Sequence, residues 1–196
     1  MHIFYCPDTV SVLNEEESRH AIQVLRLKKD DIVWLVDGKG SFYKVKITEP
    51  NYKACALEVI EESSQYGKRN YNLHIAIAPT KNTDRFEWFL EKTTEIGIDE
   101  ITPLLCKHSE RTVIKTDRLN KILISGIKQS IKASLPKLNE LTKFNEFVKT
   151  PFEGQKFIAH CSSLPTPFGP TPIKEVDYLG KIYKPQNNVL ILIGPE

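Results

Sequence analysis

A chain of 196 residues, 40% hydrophobic and 27% charged, has material for one medium domain or two small ones and enough apolar content for a core. Its formal net charge of +2 is too small for the whole-molecule field to argue for a polyanionic partner, so that argument rests on local clustering. Cys6, Cys55, Cys106 and Cys161 form no C-x-x-C pair and have no histidine at zinc-ligand spacing, which speaks against a zinc fold and for free thiols in a reducing cytosol.

The amino-terminal stretch Met1 to Asp8 has no basic leader followed by an apolar segment, and no run approaches the ~20 apolar residues of a membrane helix. A soluble, cytoplasmic protein without a membrane partner is expected. Residues 1–60 read as a small, mostly β unit. Asn14 with Glu17 makes an N-cap and capping box, after which Ser18, Ala21, Ile22 and Leu25 share one face of a short helix. A strand from Ile32 to Val36 leads into the turn Asp37-Gly38-Lys39-Gly40, a second returns over Ser41 to Ile47, and a third spans Ala54 to Ile60, so the sheet can curl into a small barrel. The polar, aperiodic stretch from Glu61 to Asn70 reads as a linker. Domains over 1–65 and 71–196 follow.

Beyond the linker the pattern alternates: strand Leu73 to Ala78, helix Asp84 to Ile96, strand Glu100 to Leu105, helix Asp117 to Ser134, strand Lys156 to His160 and strand Val189 to Ile193. Such alternation predicts a parallel sheet covered by helices. In the first helix Asp84 and Glu87 suit the N-cap and N3 positions, Phe86, Phe89, Leu90, Thr93 and Ile96 form the buried stripe, and Gly97 ends it in a left-handed cap. Trp88 points off the stripe, beside Lys92 and Glu95, either covering a domain or subunit contact or lying on the lysine stem. The second helix turns Leu119, Ile122, Leu123, Gly126, Ile127 and Ser130 inward and gathers Arg118, Lys121, Lys128 and Lys132 on the far side. Residues 107–143 hold nine Lys/Arg against three Asp/Glu, a surplus suited to phosphate contacts unless it is only a solvated face. The five branched apolar residues Val189 to Ile193 read as a strand buried on both faces, with a ligand crevice beyond its carboxyl end. The natural chain is therefore expected to run on past Glu196 and complete that pocket.

No G-x-G-x-x-G follows the Leu73 to Ala78 strand and no G-x-x-x-x-G-K-[ST] or G-x-S-x-G occurs, which argues against nicotinamide enzymes, P-loop NTPases and serine hydrolases. Polar residues instead follow the strands: Thr80 and Lys81, then Lys107 to Arg111, then His160 to Ser162, then Gly194 to Glu196. A parallel sheet would open all four exits on one edge, bringing Lys81, His108, Arg111 and His160 around a glycine that admits a ligand to the backbone.

The order His20-Ala21-Ile22-Gln23-Val24-Leu25-Arg26, Asp37-Gly38, Lys81, Glu91-Lys92-Thr93-Thr94-Glu95-Ile96-Gly97-Ile98, Ile101-Thr102-Pro103-Leu104, Gln129-Ser130 with Pro136, and Leu192-Ile193-Gly194-Pro195-Glu196 resembles the RsmE family. These are 16S ribosomal RNA uridine-N3 methyltransferases of the SPOUT class. The resemblance spans essentially the whole chain and implies two domains. The first is a small PUA-like β-barrel that helps hold RNA, and the second an α/β SPOUT domain with a mostly parallel sheet whose carboxyl end is knotted around S-adenosylmethionine. The family's late Leu-Arg-x-Glu-Thr-Ala segment is not in this sequence, so the knot is expected to be incomplete and this chain to be inactive by itself; Lys128 and Lys132 also stand where the family often has Glu and Arg. Carried over, His160, Cys161, Ile193, Gly194, Pro195 and Glu196 would line the methyl-donor site, and His20, Arg26, Lys81, Arg85, Arg111 and Lys132 would hold RNA, with His20 alternatively a structural histidine at a helix end. No catalytic base can be nominated. A homodimer and the small ribosomal subunit are the implied partners; a non-catalytic RNA-binding module and a SPOUT enzyme acting on transfer RNA are the rival readings.

Overall fold

The computed structural model describes residues 1–159 and 179–195. Its elements are β1 (Ile3–Tyr5), α1 (Glu15–Arg19), β2 (Ile32–Val36), β3 (Phe42–Glu49), β4 (Ala56–Ser63), β5 (Leu73–Ile77), α2 (Thr83–Ile96) and β6 (Glu100–Leu105). Then come α3 (Thr116–Gln129), β7 (Lys137–Leu138), β8 (Thr142–Lys143), α4 (Phe144–Phe147), β9 (Gln155–Ile158), α5 (Leu179–Ile182) and β10 (Val189–Ile193). Two compact units result, one of residues 1–69, 84–99 and 115–137 and one of residues 70–83, 100–114 and 138–196.

In the first unit the sheet runs β1-β2-β3-β4, with β1 parallel to β2 and the other pairs antiparallel. The period of two puts Val33 and Leu35 of β2 and Val45 and Ile47 of β3 on one face, all of them fully buried with Phe4, Leu13, Ala21 and Cys55. Beyond β4 the pairing continues onto residues 11–13, through Leu13 N–H to the Cys55 carbonyl (3.0 Å) and Leu57 N–H to the Ser11 carbonyl (2.8 Å), so the sheet wraps toward the segment that enters α1. The Asn14 side chain accepts from Glu17 N–H at 2.9 Å, the expected cap. Ser18, buried on the apolar face, is satisfied: its hydroxyl donates to the Leu13 carbonyl and accepts from Cys55 N–H. A π-helical turn over His20–Val24 follows α1 and keeps Ile22 and Leu25 against the core. At Gly38 the turn needs φ +75°, and a Cβ would lie 2.9 Å from the Tyr5 ring.

Helices α2 and α3 belong to the same unit. Gly126 of α3 lets that helix approach α2 closely, since a Cβ there would meet Thr94 Cγ2 at 3.0 Å. The chain after α3 returns to the barrel turn, where Gly40 N–H donates to the Ala133 carbonyl and Leu135 N–H to the Gly38 carbonyl, over a small core of Val36, Ile127 and Ala133.

Four expectations change. The polar stretch after residue 60 is partly strand, because β4 runs on to Ser63 opposite Phe42. Helix α2 begins at Thr83, leaving Asp84 in its first turn, and its buried stripe is Phe86, Leu90 and Thr94, while Ile96 is 75% exposed. Helix α3 stops at Gln129 because Ile131 takes φ +56°, which places Lys132 beyond the helix. The cationic stripe also dissolves: Arg118 pairs with Glu87 at 2.7 Å and Lys128 with Glu17 at 2.7 Å.

In the second unit the sheet order is β7-β6-β5-β10-β9, with β8 also beside β6. Strands β6, β5, β10 and β9 are parallel. Val189, Leu190 and Leu192 of β10 are buried together with Ala76 of β5 and Leu104 of β6, as a strand with neighbours on both edges requires. Where β5 and β6 begin, buried His74 bonds the Thr102 hydroxyl at 2.8 Å, and Asn139 donates to both Thr102 and Glu100 at 2.7 Å.

Candidate active-site edge

Because the four strands are parallel and in register, their carboxyl ends meet on one edge of the second unit. Ile193 lies opposite Ile77, Ile77 opposite Pro103, and Leu192 opposite Ile158. Two further bonds carry the pairing just past the strands: Ala78 N–H to the Ile193 carbonyl at 3.0 Å and Ala159 N–H to the Leu192 carbonyl at 2.8 Å. Gly194 emerges between these exits. It is exposed, and among the described residues a Cβ built on it would meet nothing within 4 Å, which leaves its backbone open to a ligand.

The loops after β5 and β6 are joined across this edge. Arg111 Nε donates to the Thr80 carbonyl at 3.2 Å and its Nη2 to the Lys81 carbonyl at 2.6 Å. Lys81 Nζ returns to Glu110 Oε2 at 3.1 Å. A hollow of about 580 Å³ opens between them, lined by Lys81, Glu110, Arg111, Thr112 and Val113. Cys106 follows β6, its N–H donating to the Ser109 hydroxyl at 2.9 Å; burial raises its thiol above the ordinary value, so it stays a neutral packing group.

Of the residues named from sequence for the donor site, Ile193, Gly194 and Pro195 lie at this edge, whereas His160, Cys161 and Glu196 fall outside the described residues. Of those named for RNA, Lys81 and Arg111 come together here, and His108 is exposed on the same loop as Arg111. His20, Arg26, Arg85 and Lys132 sit in the other unit. His20 stands at the end of α1, 3.9 Å from Glu17 and edge-on to Phe4, which suits a structural histidine. Arg26 is exposed in a left-handed turn (φ +56°), Arg85 is exposed in the first turns of α2, and the Lys132 stem lies close to Gly97. Glu110 was not anticipated; its only signal in the sequence is that it immediately precedes Arg111.

The model of the RNA methyltransferase domain matches residues 67–196, and that of the RNA methyltransferase PUA domain matches residues 13–60. The chain belongs to the RNA methyltransferase family. Within that family it is 36% identical to a probable rRNA-methyltransferase of Porphyromonas gingivalis, whose crystal structure it overlays with a TM-score of 0.87 over 100% of this chain and 80% of that one. The ribosomal RNA small subunit methyltransferase E of Mesomycoplasma hyopneumoniae is 25% identical over 185 residues, 89% of this chain and 71% of that protein. The Neisseria gonorrhoeae enzyme of the same name, solved bound to S-adenosyl methionine, shares the fold with a TM-score of 0.79 at 24% identity, over 100% of this chain and 80% of that one. Against further relatives of that name the match spans about half of their length, from 43% to 57%. A PUA-like unit followed by an α/β domain with a mostly parallel sheet is the architecture seen here. Among the described residues no helix is long and apolar enough to cross a membrane.

Proposed function

We propose that the protein containing this chain transfers a methyl group from S-adenosylmethionine to N3 of a uridine in the 16S ribosomal RNA of the small subunit. One observation carries the reading: the parallel strand exits open on one edge, where Gly194 follows β10 and the loops carrying Lys81 and Arg111 follow β5 and β6, within a chain of the RNA methyltransferase family. The edge fits the donor. S-adenosylmethionine has no phosphate, in keeping with a sequence that lacks phosphate-binding loops, and it can be held by backbone groups where no side chain intrudes.

In this reading Ile193, Gly194 and Pro195 form one wall of the donor site, with His160, Cys161 and Glu196 assigned to it as well. The donor supplies an electrophilic methyl on sulfur. The protein's part is to expose N3, which sits on the base's pairing edge, and to hold it in line with that carbon, so that the N–CH3 bond forms as the bond from sulfur to methyl breaks and the N3 proton passes to solvent. Lys81, Arg85 and Lys132, with His20 and Arg26, are assigned to the RNA, and Arg111, named with them from sequence, to the loop that carries Lys81. A homodimer of the whole protein belongs to the same proposal, to be read from the mass in solution.

The test supplies the protein containing this chain with methyl-labelled S-adenosylmethionine and small subunits from cells lacking the modification, with transfer RNA in parallel. Label at N3 of a 16S uridine is expected. Donor uptake without labelled small subunits, or label on transfer RNA instead, overturns the substrate, and RNA binding with no donor uptake reduces the protein to a binding module.

A further inference from the structure

We infer that Arg111 is a positioning residue that braces the loop after β5 and does not touch RNA, so that Lys81 alone of the two receives a substrate phosphate, and that Glu110 occupies Lys81 until that phosphate arrives. The inference rests on the edge being the RNA-methylating site.

The two cations are held differently. Arg111 spends its guanidinium on two successive backbone carbonyls, those of Thr80 and Lys81, at 3.2 and 2.6 Å. With Nε and Nη2 both bonded to main chain, the side-on edge of the guanidinium is spent on the protein, and the plane of the fork is fixed by the loop it holds. What it fixes is the chain direction immediately after β5, alongside Gly194, because Ile77 and Ile193 are partners in the sheet. Lys81 is the opposite case. Its side chain is 82% exposed, and its partner Glu110 is 56% exposed, at 3.1 Å. An ion pair so open to water is worth only about 0–1 kcal/mol, so a phosphate can replace the carboxylate at small cost. The hollow lined by Lys81, Glu110, Arg111, Thr112 and Val113 gives the phosphodiester room to enter. Glu110 thus screens the lysine in the free protein, and Arg111 keeps both loops in place when the pair opens.

The experiment measures binding of a fluorescent oligouridylate by the full chain across a salt series, for wild type, Lys81→Ala, Arg111→Ala, Arg111→Lys, the Lys81→Ala/Arg111→Ala double variant and Glu110→Gln. Each phosphate contact to a single strand contributes about 0.7 to the slope of log affinity against log salt. Lys81→Ala is expected to lower the slope by about 0.7, Arg111→Ala to lower it equally by letting the Lys81 loop go, and the double variant to lower it no further. Arg111→Lys keeps the charge and guards against misfolding; a single ammonium cannot span both carbonyls, so it should lose the same slope. Glu110→Gln should tighten binding at low salt by up to about fivefold, the upper limit set by an exposed pair. Additive losses in the double variant, a full slope in Arg111→Lys or an unchanged slope in Arg111→Ala would overturn the inference even with methyl transfer intact. A wild-type chain that neither binds the oligouridylate nor labels small subunits overturns the functional reading and this inference with it.

Discussion

The thiols show how a single side chain can be inert by environment. Cys6 and Cys55 are buried in the barrel core, and burial raises both thiols above their ordinary 9.0; Cys6 in addition donates to the Thr9 carbonyl at 2.6 Å. A group whose folded value is raised holds its proton more tightly in the native chain. Its stabilising share is complete below the ordinary thiol value and is lost as pH climbs through the folded one. Tyr5, raised mainly by burial and then by Asp8 and Asp37, acts in the same direction from 10.0 upward. Melting temperature is therefore expected to fall as pH rises beyond 9.0. Cys55→Ala should flatten that alkaline limb by up to about 1.4 kcal/mol per pH unit, while lowering the plateau through lost packing. Calorimetric melting across the alkaline range checks it, and an unchanged slope in Cys55→Ala would refute it. The sequence announced these residues as free thiols from spacing alone, yet the burial of Cys55 depends on residues 11–13 pairing with residues 55–57, which no local pattern encodes.

At the scale of elements, α1 and α3 are tied by one charged pair. Glu17 is 8% exposed; its carboxylate accepts from Tyr5 N–H and from Lys128 Nζ, the latter at 2.7 Å. Lys128→Met would leave a desolvated carboxylate facing Tyr5, at an expected cost of about 3 kcal/mol, the low end for a broken buried pair because Lys128 keeps 25% exposure. Glu17→Gln combined with Lys128→Met should recover most of that loss, and denaturant midpoints for the two variants decide it. Angles on a helical wheel placed Lys128 in a free cationic stripe because they carry no information about Glu17, 111 positions away in the chain. By contrast, β2, β6 and β10 have the boundaries read from sequence, since alternating or continuous branched apolar residues determine burial locally. Strand β1 went unread because three residues are too few for a period, and its parallel pairing with β2 is a non-local fact.

For the molecule as a whole, a donor that binds only the folded chain stabilises it by mass action. At a hundredfold excess over Kd the gain is about 2.7 kcal/mol, a rise in melting temperature of several degrees. That rise is expected with S-adenosylmethionine, and its absence at saturating concentration would favour a module that holds RNA without chemistry. The convergence of strand exits was legible beforehand because alternating strands and helices imply parallel order, and parallel order puts every exit at the same end. The brace between Arg111 and the Thr80 and Lys81 carbonyls was not, since cationic residues near a predicted nucleic-acid site look alike until their donors are counted.

The placement of β10 also sets a timetable for synthesis. This strand slots between β5 and β9, so β5 meets one of its neighbours only when residues more than a hundred positions downstream have been translated. Until then a nascent chain displays two bare, apolar strand borders facing a gap, a sticky state that favours self-association over closure. Ribosome-bound intermediates stalled before Val189 should therefore need chaperone cover that the barrel, whose strands are all complete by Ser63, does not.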